Sequence, residues 1–165
     1  VLGPSRQECV VTARHAVGDA GSRGDPVPLA DGRLGELSDM APGAIDVCVV
    51  STGEAISNQK LGVQPHVVPW SKARILTREG ALTTRVVDVS NGYGLFNATE
   101  RPLYVNLENW GQPSDSGSLV VEASTGDGIG IYLGRLDTPP PSNASVGYAA
   151  HLYQAAVLMG MQLFR

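Results

Sequence analysis

The stretch Gln112-Pro113-Ser114-Asp115-Ser116-Gly117-Ser118-Leu119-Val120-Val121 sets a serine between an aspartate and a glycine at the entrance to an apolar run. This is the pattern of a loop that carries a nucleophile into a buried strand. Two upstream stretches give it meaning. Val10-Val11-Thr12-Ala13-Arg14-His15-Ala16-Val17 brings a histidine to the end of a β-branched run. Ala44-Ile45-Asp46-Val47-Cys48-Val49-Val50 sets an aspartate inside the start of an apolar one. The order His, Asp, Ser is one of the few in which a serine, a base and an orienting acid recur.

The chemistry explains why these residue types belong together. A serine hydroxyl is a poor nucleophile near neutral pH and needs a base to take its proton. His15 has the right intrinsic pKa for that task. Asp46, in an apolar setting, needs a hydrogen-bond partner to be buried, and an imidazole N–H supplies one. The oxyanion of an acyl-transfer intermediate needs backbone donors, which the turn through Ser114, Asp115 and Ser116 can offer as the amides of Ser114 and Ser116. Each residue alone is ordinary: a histidine beside a strand, a capping aspartate, a Ser-Asp-Ser-Gly turn. Their combination carries the argument, since each is flanked by the apolar strand it requires.

Composition sets the frame. The chain has 165 residues, suited to one domain, with 42% apolar and 17% charged residues, which fits a packed core. Twenty glycines and 11 prolines favour short strands and tight turns over long helices. A net charge of −4 gives no electrostatic basis for binding nucleic acid or an anionic membrane. No apolar run approaches the roughly 20 residues that span a bilayer. The start, Val1-Leu2-Gly3-Pro4, has neither the initiator methionine nor the pattern of a signal peptide, and reads as a processed or excised domain. Cys9 and Cys48 are expected to be buried small hydrophobes, with a disulfide as the alternative; so few cysteines favour a cytoplasmic or viral setting over secretion. Asn97-Ala98-Thr99 and Asn143-Ala144-Ser145 match a glycosylation pattern common by chance. His66 and His151 have no partner pattern and are expected to be structural or surface residues. No metal site and no cofactor are expected.

Along the chain, strands are predicted at 9–13, 45–50, 72–76, 82–89, 102–106, 119–122, 129–133 and 146–150, from apolar and β-branched density. Residues 18–35 read as a long surface connection and 51–59 as a polar turn. Residues 63–70, broken by Pro65 and Pro69, read as a connector between two halves. Asp127-Gly128 signals a hairpin, and Pro139-Pro140-Pro141 a loop. Residues 152–164 are the one convincing helix. The expectation is an all-β domain of short strands, closed into barrels to remove exposed edges, with a terminal helix.

On these residues the chain resembles the chymotrypsin-like (trypsin-fold) serine proteases, of a small viral or intracellular type. Thr12-Ala13-Arg14-His15 is similar to their Thr-Ala-Ala-His segment, Ile45-Asp46-Val47-Cys48-Val49 to their Asp-Ile-Ala-Val strand, and Ser114-Asp115-Ser116-Gly117-Ser118 to their Gly-Asp-Ser-Gly loop. Gly130-Ile131-Tyr132-Leu133-Gly134 resembles the strand beside which substrate lies, Gly147-Tyr148 the last strand, and Val1 to Ser5 the turn before the histidine segment. The resemblance implies a double β-barrel: a first half over 1–62, a connector over 63–71, and a second half with the helix over 72–165. It implies a serine endopeptidase with His15 as base, Asp46 as orienting acid and Ser116 as nucleophile. The oxyanion donors would be Ser114 and Ser116. Substrate would meet Trp110, Gly111, Gln112, Tyr132, Leu133, Gly134 and Gly147. Gly134 and Gly147 would leave the pocket open to a medium or large apolar side chain, unless Arg135 draws an acidic one. Nothing acidic at 110–112 supports a preference for Lys or Arg.

Three departures stand out. Ser114 occupies a position where the family has glycine, whose backbone freedom a side chain restricts. Arg14 replaces a small residue beside the histidine. Only 14 residues precede His15 where the family has further strands, so the expectation is either a trimmed first barrel or, favoured because an unpaired edge is an aggregation hazard, N-terminal strands supplied by a further segment or partner chain through strand addition. Two other readings follow: a protease-fold binding module with impaired catalysis, or a protease activated by that complementation. Asp115 matches the acid that pairs with a new N-terminus in activated zymogens; Val1 lies too close in sequence to serve, so Asp115 is expected only to shape its loop.

Overall fold

A computed structural model describes residues 9–18, 20–29, 31–53, 61–90, 102–137 and 144–161. The expectations for Val1 to Ser5, Asn97 to Thr99, Pro139 to Pro141 and the end of the predicted helix lie outside these residues.

Among the described residues there are ten strands and one α-helix: β1 (Cys9–Ala13), β2 (Pro26–Pro28), β3 (Leu34–Met40), β4 (Val47–Ser51), β5 (Lys72–Thr77), β6 (Gly80–Ser90), β7 (Tyr104–Leu107), β8 (Leu119–Glu122), β9 (Gly128–Asp137), β10 (Ser145–His151) and α1 (Leu152–Leu158). The first four form an antiparallel sheet in the order β1-β4-β3-β2. The last six close into a barrel in the order β10-β7-β6-β5-β8-β9. Closure pairs every strand of that half on both sides over part of its length, while the end of β9 beyond Ile131 runs past β8. Among the described residues the first half remains a four-stranded sheet.

Several sequence expectations change. The connection predicted over 18–35 contains β2 and the start of β3. Neither announces itself: β2 is three residues of Pro-Val-Pro at a sheet edge, where missing N–H donors are tolerated. β3 reads Leu-Gly-Glu-Leu-Ser-Asp-Met and is too polar to stand out. Asp46 lies just before β4 rather than inside it. The 8–9 turn takes its positive φ (78°) at Gly126, and Gly128 already begins β9. The helix ends at Leu158, followed by Gly160 at φ 66°. Cys48 is buried, but Cys9 is only half-buried. Cys9 opposes Ser51 and Cys48 opposes Thr12, an offset of about 10 Å along the paired strands, so the two do not face each other.

Three apolar clusters hold the fold. The first sheet packs Val17, Val27, Leu37, Cys48 and Val50. The barrel interior packs Ala73, Ile75, Val86, Val105, Leu107, Val120, Ile129, Tyr132 and Ala149. Between the halves, Ala13, Ala41, Ile45 and Val47 meet Ile131, Leu133, Ala150 and the helix residues Leu152 and Ala155. This explains the unbroken apolar run of β4. Cys48 and Val50 face one cluster and Val47 faces another, so both sides are buried.

β9 serves two clusters through two register shifts. Val120 pairs with Gly130 but Val121 with Gly128, which leaves Ile129 as an extra residue. Tyr148 pairs with Gly134 but Ala149 with Tyr132, which leaves Leu133 as another. Such bulges redirect side chains locally. Here Ile129 and Tyr132 enter the barrel, while Ile131 and Leu133 face the other half.

Candidate active site

His15 sits in a short 3-10 turn, Arg14–Val17, directly after β1. The register of β1 on β4 pairs Ala13 with Val47, so the residues just beyond each strand end also meet. The Arg14 amide donates to the Asp46 carbonyl at 3.2 Å. The Asp46 carboxylate then takes both groups of the next residue. Its Oδ1 accepts the His15 backbone N–H at 3.0 Å, and its Oδ2 lies 2.5 Å from His15 Nδ1. An ionised carboxylate only accepts, so Nδ1 carries the proton and Nε2 is left as the basic nitrogen. The histidine side chain is 46% exposed and the aspartate 28%, so the acid is the more sheltered partner.

Ser116 ends a second 3-10 turn, Pro113–Asp115, just before β8. Asp115 shapes this turn: its Oδ2 accepts the Gln112 amide at 2.7 Å. Gly117 then makes two connections. Its amide donates to the Tyr132 carbonyl at 2.8 Å, and the Tyr132 amide returns a bond to the Ser118 carbonyl at 2.8 Å, stitching the loop to β9. Its α-carbon, at φ 93°, lies against β1: a Cβ there would run into Thr12 Oγ1 and sit 3.4 Å from the Ala13 amide nitrogen. Glycine is required at this position on both counts. The serine loop is thereby held against the strand that delivers His15.

The structure brings His15 and Asp46 into direct contact and sets the Ser116 loop beside them. Ser116 itself is turned elsewhere. Its Oγ is 3.0 Å from the Leu133 carbonyl and 3.2 Å from the Pro113 carbonyl, and no hydrogen bond joins it to His15. Its amide also points back to the Pro113 carbonyl, at 3.5 Å. Ser114 adopts no strained backbone: Trp70, at φ 67°, is the one non-glycine residue with positive φ among those described. The missing glycine is thus accommodated by a 3-10 turn that folds one candidate oxyanion donor onto its own carbonyl.

The residues expected around a substrate cluster beside this loop. Tyr132 is buried, and its hydroxyl accepts the Gly111 amide at 2.9 Å. Burial pushes its phenol pKa up, so the hydroxyl stays protonated. Arg135 lies over the Trp110 ring, 5.6 Å from its centroid, and pairs with Asp137 at 3.1 Å, both side chains being largely exposed. Gly134, at φ 150°, has Tyr148 nearby. Sequence reasoning missed the Leu133 carbonyl, because backbone acceptors at a bulge leave no residue-type signal. His151 has a structural role: its Nδ1 accepts the Gln154 amide at 3.3 Å and caps α1. No group of metal-ligating side chains occurs among the described residues.

No protein-family model matches the sequence, and no curated protein matches it significantly. Solved structures do match. The HtrA-type protease AlgW, solved with a decapeptide, aligns with a TM-score of 0.61 at 21% identity over 94% of this chain and 48% of that one. A Cellulomonas bogoriensis chymotrypsin aligns at 0.64 and 14% identity over 93% of this chain and 84% of that one. The Rv3671c protease, in an inactive form, aligns at 0.62 and 16% identity over 97% and 80%. The chain spans about half the length of AlgW. With a closed six-stranded barrel, a second antiparallel sheet and a helix after the last strand, this chain has the chymotrypsin-like serine protease fold.

Proposed function

We propose that this chain is a serine endopeptidase that hydrolyses peptide bonds through an acyl-enzyme. The observation that carries the reading is the double grip of Asp46 on the His15 amide and ring. A carboxylate held this way fixes the tautomer and the ring plane, and stabilises the imidazolium that forms when the base takes a proton. The fold likeness and the contact of Gly117 with the His15 strand support it.

In this mechanism the Ser116 hydroxyl leaves the Leu133 carbonyl and turns to His15 Nε2. Nε2 takes its proton as Oγ attacks the scissile carbonyl. The tetrahedral oxyanion is met by the Ser114 and Ser116 amides, which requires the Pro113 carbonyl to turn away. His15 then protonates the leaving amine, and water reverses the sequence to free the acid. Peptide or protein substrate lies against Trp110, Gly111, Gln112, Tyr132, Leu133, Gly134 and Gly147. The proposed organisation is one domain, with halves at 1–62 and 72–165 about the connector 63–71.

Hydrolysis of a quenched, fluorescent casein by the wild type and by Ser116→Ala tests the proposal. The expected result is steady turnover that falls by about 10³-fold or more in the variant. Equal rates would contradict it. A protease-fold binding module without turnover is the second reading, favoured by the engagement of both the Ser116 hydroxyl and amide with Pro113. It predicts casein binding with no hydrolysis by either protein.

A further inference from the structure

If Ser116 is the nucleophile, the attacked carbonyl must come within reach of its Oγ, beside Leu133. The strand edge there is open. β8 stops pairing with β9 at Leu119 opposite Ile131, and Tyr132 spends its amide and carbonyl on Ser118 and Gly117. From Leu133 to Asp137, β9 has β10 on one side and no strand on the other among the described residues. An extended peptide added to this edge would pass Ser116, and the family resemblance places the side chain of its attacked residue toward the gap between β9 and the segment 109–112.

Three contacts narrow that gap. Asn109 is fixed by its amide to Thr84 Oγ1 at 2.9 Å, and its carbonyl lies against Gly147, where a Cβ would come within 2.5 Å. At the rim, Arg135 lies over one face of the Trp110 ring, which keeps 40% of its surface exposed. Between them the Tyr132 ring, 1% exposed, reaches across to the Gly111 amide. Gly134 and Gly147 were expected to leave the pocket open. Instead, Gly147 is used for the approach of Asn109, and the phenol takes the remaining depth.

The geometry points to Tyr132 as the residue that sets primary specificity, by filling the pocket so that cleavage follows only glycine, alanine or serine. This rests on the protease reading above. A hydroxyl anchored to a buried amide also makes the ring a fixed wall rather than a movable lid.

The test uses peptidyl diphenyl phosphonates, which trap an active serine covalently, in versions carrying an alanine, leucine or phenylalanine side chain at the attacked position. Wild type is expected to react with the alanine probe at least about 100-fold faster than with the phenylalanine probe. Tyr132→Ala should bring the two within about tenfold, while Tyr132→Phe should keep the preference, because the ring remains. The wild-type ratio and Tyr132→Phe decide the matter if Tyr132→Ala fails to fold. Equal or faster reaction with leucine or phenylalanine overturns the pocket assignment and leaves the protease reading intact. So does labelling by a small fluorophosphonate with none by the alanine probe. No labelling by any reagent, the fluorophosphonate included, overturns the protease reading and this inference with it.

Discussion

At the scale of the residue, the site depends on one position without a side chain. Gly117 allows the serine loop to touch Thr12 and Ala13, and its φ of 93° lies where side chains are disfavoured. Gly117→Ala adds about 1–2 kcal/mol of backbone strain and about 1–3 kcal/mol of crowding against Thr12. Chemical denaturation is expected to show a loss of about 2–5 kcal/mol, with casein hydrolysis falling further than stability alone explains. A loss within 0.5 kcal/mol would mean the loop does not rest on β1. The sequence announced this glycine only as the neighbour of Ser116, because close approach between segments a hundred residues apart leaves no local trace. His15 and Asp46 were legible for the opposite reason. Their chemistry is carried by side-chain type, and the strand register then places them together. Ser114 was legible as a departure, but not as the middle of a 3-10 turn, since serine suits many turns.

At the scale of the element, α1 depends on a neutral histidine. Burial lowers the His151 pKa below its ordinary value, and the nearby His66 acts in the same direction. The neutral ring accepts the Gln154 amide as an N-cap; the protonated ring cannot. Since the folded pKa is depressed, the unfolded chain binds the extra proton more readily. The stabilisation is therefore complete above the ordinary pKa of about 6.5 and is lost as pH falls through the folded value. Thermal melts from pH 8 to 5 should show Tm falling below about pH 6.5. His151→Asn, which keeps a capping acceptor, should flatten that slope. An identical slope in the variant would show that other groups carry it. The helix was legible in its composition, but its end was not. The strands of the barrel were legible by β-branched density, whereas β2 and β3 were hidden by proline, glycine and charge. The bulges of β9 left no signal, though the one at Ile129 lets Ile129 and Ile131, two residues apart, face different clusters.

At the scale of the molecule, two halves of different construction share one site. The second closes on itself, so each barrel strand has a partner on both sides over part of its length, the 133–137 end of β9 meeting only β10 among the described residues. The first is a sheet whose edge strands, β1 and β2, each have a single partner among the described residues, and β1 carries Val10 43% exposed. Open edges lower the free energy of local opening. Amide exchange is expected to be faster in β1 and β2 than in β5 to β10, and exchange at equal rates would mean the halves open as one unit. Pro65 and Pro69 led the sequence reading to expect a connector between two halves; nothing local in it signalled the approach of Asn109 to Gly147 or the reach of Tyr132 to Gly111. His15 and Asp46 come from the sheet and Ser116 from the barrel, so the reactivity of that serine reports on the whole arrangement. The most direct measurement is intact-mass analysis after exposure to a fluorophosphonate, followed by peptide mapping. The account predicts a single adduct on Ser116, absent in Ser116→Ala and strongly slowed in His15→Ala. Equal labelling of wild type and Ser116→Ala, or an adduct at another residue, would contradict it.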